Sequence, residues 1–259
     1  ITRMAAPGDR ALLVYPPGLD FVAAFLGCLK VGVLPVPATY PKPRRPLPRL
    51  DAIARDCEPS LALTTRSALE TMQLDQQSPA VRDLPWTSTD QLECGGACPA
   101  ANPAVGELPC EGAAFLQYTS GSTSEPRGVV VSHANLMHNL EMIRRGFGIE
   151  VDNGAPPVSG VFWLPAYHDM GLIGGVLMPI YIGGTSYLIA PAAFLRRHLV
   201  WLQWLSRTGA SISGAPNFAY DLCVEKTTPQ TRSELDLSRW ELAFCGAEPV
   251  SSNTLQRFA

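Results

Sequence analysis

Short, wholly apolar runs alternate along this chain with stretches of helical spacing, and that alternation restricts the fold more than any other feature. Strands are expected at residues 11–15, 33–36 and 61–64, with helices over 20–31 and 50–57 between them. The first helix stops at Gly32, and 41–48 reads as a proline-rich loop. A strand without polar alternation is one covered on both faces, as in a parallel sheet wrapped by helices. Residues 79–109 show no period and read as an irregular crossing. The alternation then resumes, with strands expected at 113–118, 128–131, 158–164, 185–190, 210–213 and 241–245. Ser132 is placed to cap a helix running to about residue 145. Pro191 opens a helix in which Leu195, Leu199 and Leu202 share one face. The fold class is therefore α/β, with two sheet subdomains and flanking helices.

Composition narrows the function classes. Only 17% of the 259 residues are charged and the formal net charge is −3, with no Lys/Arg block, which argues against a nucleic-acid partner. The nearest basic cluster, Lys42 to Arg45, is broken by proline and reads as a solvated loop. Residues 170–195 carry no charge over a length that could span a membrane. Gly171, Gly174, Gly175, Pro179, Gly183, Gly184 and Pro191 divide that run, so a buried helix, a turn and a strand are expected in place of a transmembrane segment. The seven cysteines are irregularly spaced. Cys28, Cys223 and Cys245 lie in apolar runs, which suits buried thiols in a reducing cytosol. Cys94, Cys98 and Cys110 lack the second close pair or histidines of a zinc site, so no metal site is expected. The chain begins on Ile and its last nine residues read as a helix just begun, so a fragment at both ends is expected.

One loop carries the chemical signal. In YTSGSTSEPRG, the five residues Thr119, Ser120, Gly121, Ser122 and Thr123 are all hydroxyl-bearing or glycine. Such a run can turn its N–H groups inward as an anion nest, with hydroxyls as further donors, and polyphosphate is the fitting ligand. It is not a Walker A loop, because Val129 follows Gly128 where that motif needs Lys. An exposed hairpin has the same composition. His168 follows an apolar strand, where histidines serve as structural hydrogen-bonders more often than as catalysts. His133 and His138 are not on one helix face, and His198 reads as a surface residue beside Arg196 and Arg197.

The stretch YTSGSTSEPRGVVVSHANL resembles the phosphate-loop signature of the adenylate-forming enzymes, which include acyl-CoA synthetases, peptide-synthetase adenylation domains and luciferases. LPAYHDMGL resembles the next motif of that superfamily, and FCGAEP the segment that lines its adenine pocket. The wording of YPPGLDFVAAFLGCL, LPAYHDMGLIGG and SGAPNFAYDLC is similar to the fatty-acyl-AMP ligase branch. The resemblance implies a partial AMP-binding N-terminal domain over 1–259, with the C-terminal lid domain beyond it. It implies that a fatty carboxylate attacks the α-phosphate of ATP, with Mg2+ present, to give acyl-adenylate and pyrophosphate. An acyl carrier protein, or CoA in the neighbouring branch, would receive the acyl group.

The same resemblance assigns residues. Thr119 to Thr123 and Gly128 would hold the phosphates. Arg127 would contribute a cation where many members of the superfamily carry Lys, which leaves its role open. His168 would sit where carboxylate and phosphate meet, steering and not abstracting a proton, since a carboxylate is already ionised at neutral pH. Asp169 would cap the helix that follows. Gly246, Ala247 and Glu248 would line the adenine, although a strand-to-helix turn fits them equally and Glu248 is also placed to cap its own helix. Gly214, Ala215, Pro216 and Phe218 would border the acyl tunnel, with Tyr220, Leu172 and Ile173 as walls or as plain core.

Overall fold

Two all-parallel sheets organise the chain, and the computed structural model describes them through residues 1–40, 47–92, 112–119, 126–151 and 158–259. The sheets fall in two units, Ile1–Asn139 and Leu140–Ala259.

In the first unit, β1 (Arg10–Leu13), β2 (Leu34–Pro37), β3 (Leu61–Thr64) and β4 (Trp86–Ser88) lie in the order β2-β1-β3-β4. Parallel neighbours require crossovers, and helices supply them: α1 (Leu19–Lys30), α2 (Pro48–Cys57), α3 (Arg66–Met72) and α4 (Pro79–Arg82). Gly32 ends the first crossover at φ +73, a left-handed turn that leads directly into β2. Leu12, Val14, Val36 and Ala62 are buried together with Ile53 and Ala54 of α2. Their neighbours Leu13, Leu61 and Leu63 are equally buried, so both faces of the sheet are covered, as the unbroken apolar strands require. An antiparallel pair, β5 (Ala113–Thr119) and β6 (Arg127–Ser132), follows, with β5 beside β2. Next comes α5 (His133–Gly146), where the Ser132 hydroxyl accepts the Asn135 N–H at 3.0 Å and the Asn135 side chain accepts the Ser132 N–H at 3.2 Å.

The second unit holds β7 (Ser159–Phe162), β8 (Thr185–Leu188), β9 (Ile212–Ala215) and β10 (Leu242–Cys245), in the order β10-β9-β7-β8. The apolar run after β7 forms a π-helix, Met170–Leu177, and α6 (Met178–Tyr181) before turning into β8. No helix among the described residues is long and apolar enough to cross a membrane. Then come α7 (Pro191–Arg196), α8 (Leu199–Thr208), α9 (Asn217–Glu225), α10 (Pro229–Ser233) and α11 (Ser252–Phe258). Trp201 anchors the core, its ring buried and its Nε1 donating to the Ser213 hydroxyl at 2.8 Å; that hydroxyl donates in turn to the Val161 carbonyl.

The α/β expectation holds, with local corrections. Residues 79–92 are not irregular: they form α4 and then β4, which completes the first sheet. A three-residue strand is too short to display a period. The helix opened by Pro191 stops at Arg197, whose φ and ψ of −146° and 90° are extended. Phe194 is therefore the buried residue of α7, while Leu195 is exposed. His198 is not a plain surface residue: its ring meets Phe194 edge-on at 5.3 Å, and its Nδ1 is shielded from solvent without a hydrogen-bond partner. Cys28 and Cys223 are buried free thiols as expected, and so is Cys57, while Cys245 is half-buried. Cys94, Cys98, Cys110 and the loop 41–46 lie outside the described residues.

Candidate active site

In the first unit the hydroxyl-rich loop is bracketed by a paired hairpin. Thr119 at the end of β5 is registered opposite Arg127 at the start of β6, and Tyr118 opposite Gly128. Thr119, Arg127 and Gly128 are exposed, and Ser120, Gly121, Ser122 and Thr123 lie outside the described residues. Gly128 is glycine because a Cβ there would stand 2.8 Å from the Tyr118 ring. That ring cannot easily yield, since it is buried and its phenol donates to the Asp56 carboxylate of α2. Burial first, and then this bond, push the phenol's pKa up. The strand leading into the loop is thus fixed to its helix.

In the second unit, β7 runs into a turn that presents His168. The His168 N–H donates to the Pro165 carbonyl at 3.0 Å, and the His168 carbonyl accepts the Leu172 N–H at 2.8 Å. Gly171 makes the turn possible: a Cβ there would lie 2.1 Å from the Pro165 carbonyl oxygen. The Asp169 carboxylate accepts the Met170 N–H at 2.7 Å, capping the π-helix, and its Oδ1 lies 2.6 Å from His168 Nδ1. Nδ1 is thus directed at the carboxylate, and the His168 side chain stays exposed. Eight residues of π-helix are uncommon, and such turns recur at functional sites.

The segment after β10 meets this turn. A Cβ at Gly246 would stand 3.5 Å from Met170 Sδ, so the GAEP segment lies beside the first residue of the π-helix. Ala247 adopts φ +68, a left-handed conformation that costs a non-glycine residue energy. Glu248 does not cap its own helix. Its Oε1 accepts the Phe218 N–H at 2.7 Å, in the first turn of α9, while Ser251 caps α11.

Gly214 and Ala215 lie within β9, and Pro216 is the N-cap of α9. A Cβ at Gly214 would collide with the Phe244 ring at 2.3 Å, so glycine here lets β9 and β10 pair closely. Phe218 is part-exposed and meets Trp163 edge-on at 6.2 Å. Tyr220 and Leu172 are core residues, with the Tyr220 hydroxyl donating to the Phe244 carbonyl at 2.7 Å, while Ile173 is half-buried. Sequence reasoning missed Met170, the contact between the two motifs, and Trp163, the aromatic backing of Phe218. No spacing rule marks either. Among the described residues no group of three or more His, Cys, Asp or Glu could hold a metal ion.

Two four-stranded parallel sheets with flanking helices, one in each unit, form the α/β architecture of adenylate-forming enzymes. The AMP-binding enzyme family matches residues 3–259, and the chain belongs to it. The chain is 39% identical over 255 residues to the medium-chain-fatty-acid–[acyl-carrier-protein] ligase JamA of Moorena producens, covering 96% of this chain and 42% of that protein. It is 39% identical over 263 residues to the long-chain-fatty-acid–AMP ligase FadD23 of Mycobacterium tuberculosis, covering all of this chain and 44% of that protein. Among solved structures, the fatty acyl-adenylate ligase of L. pneumophila, in complex with acyl adenylate and pyrophosphate, superposes with a TM-score of 0.86 at 36% identity. That match covers 99% of this chain and 43% of the solved one. The chain therefore spans less than half the length of the curated relatives it matches.

Proposed function

We propose that this chain supplies the nucleotide- and acyl-binding segments of an enzyme that activates a fatty acid with ATP, forming acyl-adenylate and releasing pyrophosphate. The observation that carries this reading is the meeting of the His168 turn with the Gly246–Glu248 segment through Met170 in one unit. The fatty-acid–AMP ligases among its relatives support it. In this reading Thr119 to Thr123, Arg127 and Gly128 hold the phosphates, Gly246 and Ala247 face the adenine, and Gly214, Ala215, Pro216 and Phe218 border the acyl chain.

The reaction needs positioning and charge neutralisation more than covalent help. The fatty carboxylate is already ionised and needs no base. His168, with Nδ1 held by Asp169, offers Nε2 to orient the carboxylate and to steady charge as the carboxylate closes on the α-phosphate. Mg2+ would accompany the triphosphate and offset its charge. An acyl carrier protein is the proposed acceptor, as JamA's name suggests, and the free thiols suit a cytoplasmic setting.

Fatty-acid-dependent exchange of labelled pyrophosphate into ATP tests the reading. His168→Ala should lower the exchange on the order of a hundredfold, and unaltered exchange would remove the role given to His168. Supplying carrier protein and CoA in parallel separates acceptors; thioester formed only with CoA would reject the carrier protein.

A further inference from the structure

Helix α9 begins without a cap of its own. Its N-cap is Pro216, which has no side-chain acceptor, and the next side chain is engaged elsewhere. Asn217 Nδ2 donates to Thr254 Oγ1 at 3.0 Å and to Asp221 at 3.2 Å, and Asn217 Oδ1 accepts the Ser251 N–H at 2.9 Å. First-turn N–H groups have no partner within their helix, and an anion there is further favoured by the helix dipole. Glu248, thirty residues further along the chain, supplies that anion to the Phe218 N–H.

The segment that follows β10 is thereby held from two sides. Gly246 abuts Met170, at the start of the π-helix that follows His168, and Glu248 grips the turn that carries Phe218. Ala247, between them, sits in its left-handed conformation, a backbone state that persists only when its surroundings enforce it. A side chain so engaged is turned toward α9, which leaves the backbone of Gly246 and Ala247 to meet a base. We propose that the Glu248 carboxylate is a positioning residue, not an adenine contact, and that it couples the nucleotide-facing backbone to the acyl-facing turn of α9, making ATP and fatty acid bind cooperatively. This rests on the function proposed above.

The test compares the wild-type chain with Glu248→Ala and Glu248→Gln, using amide hydrogen exchange at Phe218 and binding of ATP and of dodecanoate, each measured alone and with the other present. Glu248→Ala should speed Phe218 exchange about fivefold, the scale of a lost cap. It should also bring the mutual enhancement of the two ligands close to one. Glu248→Gln keeps an acceptor oxygen and should restore most of both effects. Unchanged Phe218 exchange in Glu248→Ala overturns the tether. Faster exchange with weakened ATP binding alone, and the ligand coupling intact, overturns the coupling and returns Glu248 to an adenine contact. A wild-type chain that binds neither ligand overturns the proposed function and the coupling with it, while Phe218 exchange still decides the tether.

Discussion

The Tyr118 phenol donates to the Asp56 carboxylate, tying the last buried residue of β5 to helix α2 immediately before the hydroxyl-rich loop. Tyr118→Phe removes the bond without leaving a buried charge, because Asp56 is exposed. The expected loss is about 1.5 kcal/mol, read from the urea midpoint at neutral pH. Asp56→Asn should be milder, since the amide oxygen still accepts. Equal stability of Tyr118→Phe and wild type would show that the bond does not hold the strand.

Gly171→Ala should be far more damaging than its size suggests. The added methyl would meet the Pro165 carbonyl, a backbone atom that cannot rotate away. A cost of about 3 kcal/mol is expected from overpacking, together with displacement of His168. Gly146→Ala, where the added methyl meets nothing within 4 Å, is the control. Comparable thermal melts for the two variants would contradict the described turn.

Alkaline pH should weaken the fold. Burial pushes the Cys57 thiol up to about 11, and the Cys28 and Cys223 thiols to about 12, from an ordinary value of 9.0. Above pH 9 the unfolded chain releases thiol protons that the folded chain keeps, so stability falls as pH rises toward the folded values. The buried phenols of Tyr15, Tyr118 and Tyr220 are also pushed up and add the same sign above pH 10. Urea midpoints at about pH 8 and about pH 10.5 should differ measurably, and the difference should shrink in a Cys28→Ala, Cys223→Ala double variant.

The acid limb has the opposite cause. Hydrogen bonds from Arg144, then Arg145, then Tyr181 hold the Glu141 carboxyl well below its ordinary value of 4.5. A lowered carboxyl contributes stability that is fully present above 4.5 and is lost as pH falls below it. Glu141→Gln should flatten that limb at low salt. The effect should be small and shrink with added salt, because Arg145 is open to solvent. A pH profile identical to wild type would show that these bonds do not form in solution.

Much of this architecture was legible because short apolar runs flanked by glycine and proline mark strands, although the runs at 113–118 and 128–131 pair antiparallel and not within a parallel sheet. The span 61–64 coincides with β3, and Ser132 caps α5 as its spacing implies. Short elements were not legible. β4 has three residues, and α3 was signalled only by Thr65, whose hydroxyl accepts the Ala68 N–H. The motif residues were visible as wording, but their contacts were not. That Asp169 engages His168 as well as capping the π-helix, and that Glu248 reaches α9, depends on the angle at which separate segments meet, which no periodicity records. His198 misled because its charged neighbours point outward while its own ring turns onto Phe194.

The strand order β10-β9-β7-β8 has a consequence for synthesis. The first sheet can close as soon as Trp86–Ser88 has left the ribosome, since β4 is its last member and pairs with β3. The second cannot. β7 gains β8 early on one side, must wait for β9 on the other, and β9 waits again for Leu242–Cys245. Pairings between segments distant in sequence form slowly, and during that interval the apolar faces of β7 and β9 are open to misassembly. The GAEP segment follows β10, so the contacts that tie it to the π-helix and to α9 can form only after all four strands of this sheet have been translated.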